Sequence, residues 1–479
     1  ISSHMVDLQT RLATDTGLLG NADRVASLDQ GGNPVTYVLA SLLSGRVGAG
    51  VIVVLVLMVL AFGYSFLKYR RGTLPPGGRP RGARSRRGPQ ARREARRRRL
   101  RRLTGPVQHP RKAVAMTPPT TVNRLLSVTG VAEMPLVEEP LAPPPAPGEV
   151  TVAVAYCGIC GSDFPRYFDG GVHSFPQVLG HEFSGVVVAL GEGVAGVALG
   201  TRVAVAPLSP CHGCEACAAG HYSLCPRSPF IGSRRQGALA TYVNAPAANL
   251  VPLPDGMRLR DAALVEPLTV AIHGLERADY TGVDRAAVFG AGVIGLLAIQ
   301  TLKARGVRHV TAIDVQPDKL DLARRLGADE AVPGSDLAAR FADRSAAPGV
   351  CLETAGHPVT QVQAVQTVAR GGQVVYIGTC TRPVAFEAEQ FELILRGELG
   401  VTGSWMSYSA PFPGHEWTQA VELLASGAID ADAVVSREFP LDSGAAAFDA
   451  VRGGRGALVK VLYAVGGENA GAADLDGIR

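Results

Sequence analysis

The chain has 479 residues, 47% of them hydrophobic, and a formal net charge of +5. That length admits two or three domains with large cores, and eight cysteines, four of them between 211 and 225, exclude a spread disulfide framework and argue for metal in a reducing compartment. The positive charge is local: residues 68–112 hold 18 Lys or Arg against the single acid Glu94, so the rest of the chain is acidic.

Residues 6–46 show no clear period. Residues 47–67 carry no charge and, at ~1.5 Å per residue, are long enough for a transmembrane helix. Lys68, Arg70 and Arg71 follow at once, which leaves the C-terminal side cytoplasmic. The Arg-rich linker 68–112 lacks interleaved aromatics, so specific nucleic-acid binding is not expected. A competing reading takes all of residues 1–115 as an unrelated extension, with Met116 as the start of the working chain. From about 122 the pattern changes to short strands at 150–160, 183–191 and 202–206, separated by Gly and Pro turns, which predicts a barrel-like β domain. After about 268, strands at 286–290, 309–314, 330–332, 350–353, 373–378 and 399–403 alternate with helices such as 293–304 and 317–326. That alternation predicts a doubly wound parallel sheet. Helices and a closing strand, LeuValLysValLeuTyr, occupy 404–463, and a disordered tail is expected beyond 465.

Cys211, Cys214, Cys217 and Cys225 form a Cys-x2-Cys-x2-Cys-x7-Cys run. Four thiolates make a closed tetrahedral set, which suits a structural zinc. Disulfides across two-residue spacings would be strained. Cys160, in GlyIleCysGlySerAsp, and His181-Glu182, in GlyHisGluPheSerGly, offer an open set. Glu182 and Glu266 are alternative carboxylates for it, one binding directly while the other exchanges or acts through water. Zinc held there would lower the pKa of an alcohol. Ser162 is suited to relay the alcohol proton, against its plainer reading as a turn residue. Cys157, Cys351 and Cys380 read as packed thiols. Gly290, Gly292, Val293, Ile294 and Gly295 form GxGxxG between a strand and a helix, and Asp314 ends the next strand. Such an acid accepts bonds from ribose hydroxyls and repels a 2′-phosphate, which predicts NAD rather than NADP.

Taken together, GlyIleCysGlySerAsp (158–163), GlyHisGluPheSerGly (180–185), the four-cysteine lobe, GluProLeuThrVal (266–270), GlyAlaGlyValIleGly (290–295) and GluThrAlaGly (353–356) resemble the zinc-dependent medium-chain dehydrogenase/reductase family. The resemblance covers roughly 120–463 and is strongest to the polyol dehydrogenase branch. It implies an α/β protein: a GroES-like β-barrel catalytic domain (116–268 and 404–465, with a structural zinc lobe at 207–230) and a Rossmann domain (269–403), then a tail at 466–479. It further implies a homodimer or homotetramer, two zinc ions per subunit and NAD. The activity implied is oxidation of a secondary alcohol on a sugar alcohol or its phosphate to a ketose, by a cytoplasmic enzyme domain that is membrane-anchored if the extension inserts. Arg234 and Arg235, in PheIleGlySerArgArg, suit a substrate phosphate, against their plainer reading as an exposed basic loop. The run Gln236-Gly237-Ala238-Leu239-Ala240-Thr241-Tyr242 departs from the acidic-Gly-Gly-Phe-Ala-Glu-Tyr run usual in the branch. The alternatives are a zinc alcohol dehydrogenase acting on threonine, butanediol or an unphosphorylated polyol such as sorbitol, and an inactive membrane-tethered binding or scaffold protein.

Overall fold

The structure, a computed structural model, describes residues 122–141, 144–454 and 458–472. The span expected at 47–67 and the Arg-rich stretch 68–112 lie outside the described residues. Among the described residues no helix is long and apolar enough to cross a membrane.

The first strands in chain order are β1 (Val122–Val128), β2 (Leu136–Pro140), β3 (Glu149–Gly158), β4 (Gln177–Val178), β5 (Glu182–Leu190), β6 (Arg202–Val205), β7 (Tyr242–Pro246) and β8 (Leu250–Pro252). Six more follow: β9 (Arg285–Phe289), β10 (His309–Asp314), β11 (Glu330–Pro333), β12 (Val350–Glu353), β13 (Gln373–Tyr376) and β14 (Gly400–Gly403). The chain then closes with β15 (Val435–Pro440) and β16 (Lys460–Ala464). β2, β1 and β4 form a small antiparallel sheet. A larger sheet runs β15-β16-β3-β5-β6-β8, with β7 also on β3, and only its β15–β16 pair is parallel. β3 and β5 are buried almost end to end, and past the Glu that opens each strand their runs are Val-rich and uncharged.

The six strands β9–β14 form a wholly parallel sheet in the order β11-β10-β9-β12-β13-β14. Strand order reverses beside β9, and a ligand crevice belongs at that switch point. The helix Val293–Ala304 leaves β9 there, within the span expected from sequence.

A domain boundary at 268/269 would cut the single helix Val265–Leu275. Pro267 lies in its first turn, where a missing N–H costs nothing, so the helix continues through it. Its buried face joins one core with Leu296 and Leu297 of the nucleotide-side helix and with Trp417, Ala420 and Leu424 of the helix His415–Ala425. A second core fills the β-rich half around Val152, Phe183, Phe448 and Tyr463.

The tail is a correction. Residues 466–472 are ordered rather than loose, because Glu468 accepts the backbone N–H groups of Leu259 (3.1 Å) and Arg260 (3.0 Å) and pairs with Arg202. These bonds satisfy donors at the start of a short helix, and Ala470 is buried beside them.

Candidate active site

Cys160 lies just past β3, in a tight turn where its N–H donates to Asp163 Oδ2 (3.1 Å) and its carbonyl accepts from Asp163 N (3.0 Å). His181 immediately precedes β5, and Glu182 opens it. The antiparallel pairing of β3 with β5 sets Glu182 opposite Gly158, which carries the Cys160 turn next to the His-Glu pair. Ligand atoms of Cys160, His181 and Glu182 lie within 4.8 Å of one another.

Two charges that the sequence reading passed over organise this group. Lys460, buried on β16, donates to Ile159 O (2.9 Å) and forms an ion pair with Glu182 Oε2. Burial works against its charge, but Glu182, Cys160 and Glu266 outweigh it and hold its pKa above the ordinary lysine value. Gly158 has a reason here: a Cβ would stand 2.8 Å from Lys460 Cε and would collide with Glu182 Oε2. The second charge is Asp163, whose Oδ1 lies 3.6 Å from His181 Nδ1. His181 Nδ1 is buried without a hydrogen-bond partner, and its ring stands edge-on to Phe230. Asp163 was visible in the quoted motif but was given no role of its own. A lone Lys within LeuValLysValLeuTyr was the available signal for Lys460.

Glu266, on the first turn of the helix Val265–Leu275, stands outside the 4.8 Å group. Enclosure pushes its pKa up to about 8, His181 is the strongest charge opposing that rise, and Glu182 and Cys160 add to it. Its carboxyl makes no hydrogen bond or ion pair among the described residues. Burial, with the charges of Glu182 and Asp163, likewise pushes the Cys160 thiol up to about 11. A thiol and a carboxyl whose ionisation is resisted, beside an imidazole and a second carboxyl, fit a divalent cation, which would favour the deprotonated forms. Ser162 accepts a hydrogen bond from Arg166 Nη1 (2.9 Å), and so lies beside this group.

The nucleotide side is built on β9. Gly290 has φ +92°, a Cβ on Gly295 would overlap the Gly290 carbonyl, and one on Gly292 would meet nothing within 4 Å. The backbone ahead of Val293 and Ile294 is therefore open at a helix N-terminus, the arrangement that receives a pyrophosphate. Asp314 Oδ2 accepts from Ala291 N (2.7 Å) and Oδ1 from Gln316 N (2.9 Å). Buried Glu353 accepts from Ala355 N, Gly356 N and Thr360 Oγ1, pinning the turn that faces Gly290.

Cys211, Cys214, Cys217 and Cys225 also gather within 4.8 Å, and all eight cysteines are free thiols. The Gly213 N–H, with neighbouring thiols and Arg227, lowers Cys211 to about 6, while burial and the other thiols push Cys217 up to about 12. Four crowded sulfurs ionise together only around a divalent cation, so the set fits a closed zinc site. The lobe docks by aromatic edges: Tyr222 meets Phe412 at 5.6 Å, and Phe412 stacks on Tyr408 at 5.9 Å. Tyr408 Oη in turn accepts from Leu208 N (3.0 Å).

Two expectations, for Arg235 and Cys380, are corrected. Arg235 does not face the Cys160 group, because its guanidinium is held by Glu149 (2.9 Å) and Asn244 O (3.2 Å) on the β3–β7 side. It lines a separate cavity of about 380 Å³ with Asn123, Thr151 and Gln236. Arg234 is exposed, as its plainer basic-loop reading has it, and donates to Ser228 O. Cys380 is not packed in the core; it lies in the loop after β13, partly exposed, near Arg382 O.

The comparisons agree with this architecture. Residues 146–255 match the alcohol dehydrogenase GroES-like domain, and residues 293–426 match the zinc-binding dehydrogenase model. The chain is 40% identical over 305 residues to galactitol 1-phosphate 5-dehydrogenase of Escherichia coli strain K12, covering 62% of this chain and 86% of that protein. It is 33% identical over 340 residues to (R,R)-butanediol dehydrogenase of Bacillus subtilis, covering 68% and 92%. The crystal structure of galactitol-1-phosphate dehydrogenase from Escherichia coli superposes with TM-score 0.67 at 36% identity, covering 71% of this chain and 99% of that one. With both family models matched in chain order, the chain belongs to the zinc-dependent medium-chain dehydrogenase/reductase family, in its polyol dehydrogenase branch, and is an oxidoreductase.

Proposed function

We propose that this enzyme oxidises a secondary alcohol of a sugar alcohol phosphate to the ketose, with NAD as hydride acceptor. The observation that carries the reading is the convergence of Cys160, His181 and Glu182 beside Ser162, with Glu266 on a helix shared with the nucleotide side. Cys160, His181 and Glu182 would hold a catalytic zinc, with Glu266 as the exchanging carboxylate. Bound there, zinc would polarise the alcohol oxygen and lower its pKa. Asp163 stands 3.6 Å from the Nδ1 edge of the His181 ring, and Lys460 balances the charge of Glu182. Ser162 Oγ, with one lone pair taken by Arg166, keeps a second lone pair to accept the alcohol proton and its own hydrogen to pass on. The four cysteines of the lobe would hold a second, structural zinc.

The phosphate in this reading rests on similarity to galactitol 1-phosphate 5-dehydrogenase. NADH production across a panel of polyols and their phosphates tests it, and equal rates on both classes would refute the phosphate. A butanediol-type substrate is the second reading, favoured by the 33% relative, and the same panel detects it.

Asp314 carries the cofactor preference. Its carboxylate, placed by two backbone N–H groups, would repel a 2′-phosphate, so Asp314→Ala should narrow the preference for NAD and raise the KM for NAD about tenfold, the scale of one charged hydrogen bond. Wild-type enzyme faster with NADP than with NAD would sink the argument.

The assembly in this reading is a homodimer or homotetramer. The edge strand β14 leaves Val401 exposed, and the neighbouring helix Ala388–Arg396 buries no residue and exposes Phe391 and Leu395. An open edge with an apolar flank invites a second copy. Light scattering should give at least two chains, and Val401→Lys should weaken the assembly; a wild-type monomer at micromolar concentration would refute it.

A further inference from the structure

We infer that Arg166 and Ser233 form the subsite for the phosphate monoester of the substrate, a role that deepens the polyol-phosphate reading and rests on it. Arg166 lies on the short helix Asp163–Phe168, directly after the Cys160 turn. Its Nη1 donates to Ser162 Oγ (2.9 Å) and Asp163 Oδ1 (3.1 Å), and its Nη2 reaches Ser233 Oγ at 3.4 Å. Ser233 is buried, on the turn that begins at Phe230, the residue edge-on to His181. The guanidinium therefore bridges the two segments that flank the imidazole. Asp163 Oδ1 links them directly, 3.1 Å from Arg166 and 3.6 Å from His181 Nδ1.

A guanidinium has five N–H donors, and three are engaged among the described residues, leaving two. The Arg166 side chain is 20% exposed, whereas Asp163 behind it is 1% exposed. A ligand entering from solvent meets the cation first, with the Ser233 hydroxyl beside it and the carboxylate screened. Planar paired donors next to a hydroxyl suit a phosphate rather than a neutral polyol end. Arg235, one of the two cations the sequence offered, is held elsewhere by Glu149.

The test compares kcat/KM for a polyol phosphate and for the same polyol unphosphorylated, in wild type, Arg166→Gln, Arg166→Lys and Ser233→Ala. Arg166→Gln should reduce the phosphorylated-to-unphosphorylated ratio about tenfold or more, with the loss in KM, as expected for one charge-assisted contact. Arg166→Lys should restore part of the ratio, and Ser233→Ala should lower it several-fold. Inorganic phosphate should compete with the phosphorylated substrate in wild type and more weakly in Arg166→Gln. Equal losses on both substrates would overturn the inference and make Arg166 a positioning residue for Asp163 and Ser162. A raised KM for NAD at an unchanged ratio would overturn it and assign the cation to the cofactor. A wild type with no phosphate preference would instead sink the polyol-phosphate reading itself, and the wild-type ratio alone shows that.

Discussion

Cys160→Ser should abolish turnover while leaving the fold intact. The loss should be on the order of 10³-fold or more, beyond the ~10–100-fold typical of groups that only orient ligands. The thiol is held up to about 11 by burial and by the charges of Glu182 and Asp163, so it ionises at neutral pH only with a cation beside it. A serine hydroxyl in that place ionises still less readily and is a poor soft ligand. The variant should lose one zinc equivalent by elemental analysis and keep its circular dichroism and melting transition. Wild-type rates in the metal-depleted variant would remove Cys160 from the chemistry.

Cys214→Ser should produce the converse result: a disordered lobe and a second, distinct loss of zinc. Between Cys211 and Cys225 the only regular pieces are a four-residue helix at Glu215–Ala218 and a single 3-10 turn at Tyr222–Leu224. Segments that short have no core of their own, so the four sulfurs supply their order. Limited proteolysis should cut the variant between 211 and 225 while the wild type resists. The rate should also fall, since Phe412 and Tyr408 lose the aromatic edge that Tyr222 supplies. Chelation of the wild type should reproduce the new cleavage. A Cys214→Ser variant that resists protease and retains two zinc equivalents would show that the lobe does not depend on metal.

The elements that carry local signals were legible. Gly-rich turns and alternating strands placed β9, β10, β12 and the helix Val293–Ala304 within a residue of their observed ends. The Cys160, His181 and Glu182 group was legible because its members lie in two short motifs on adjacent strands. Its supporting charges were not. Lys460 reaches Glu182 from 278 residues away, through the register of β16 on β3, and no local pattern announces that neighbour. Arg166 meets Ser233 across 67 residues. Arg235 looked free in sequence because its partner Glu149 lies on another strand. Glu468 looked like tail because the N–H groups it satisfies belong to a helix 208 residues earlier.

The uninterrupted helix Val265–Leu275 has a mechanical consequence. Cys160 and His181 hang from β3 and β5, whereas Glu266 rides on a helix whose buried face packs with the helix that opens the nucleotide site. The same core includes Ala155 of β3 and Val186 of β5, so the helix that carries Glu266 is clamped to both halves, and its carboxyl is held at the seam where the strands bearing Cys160 and His181 meet the nucleotide side.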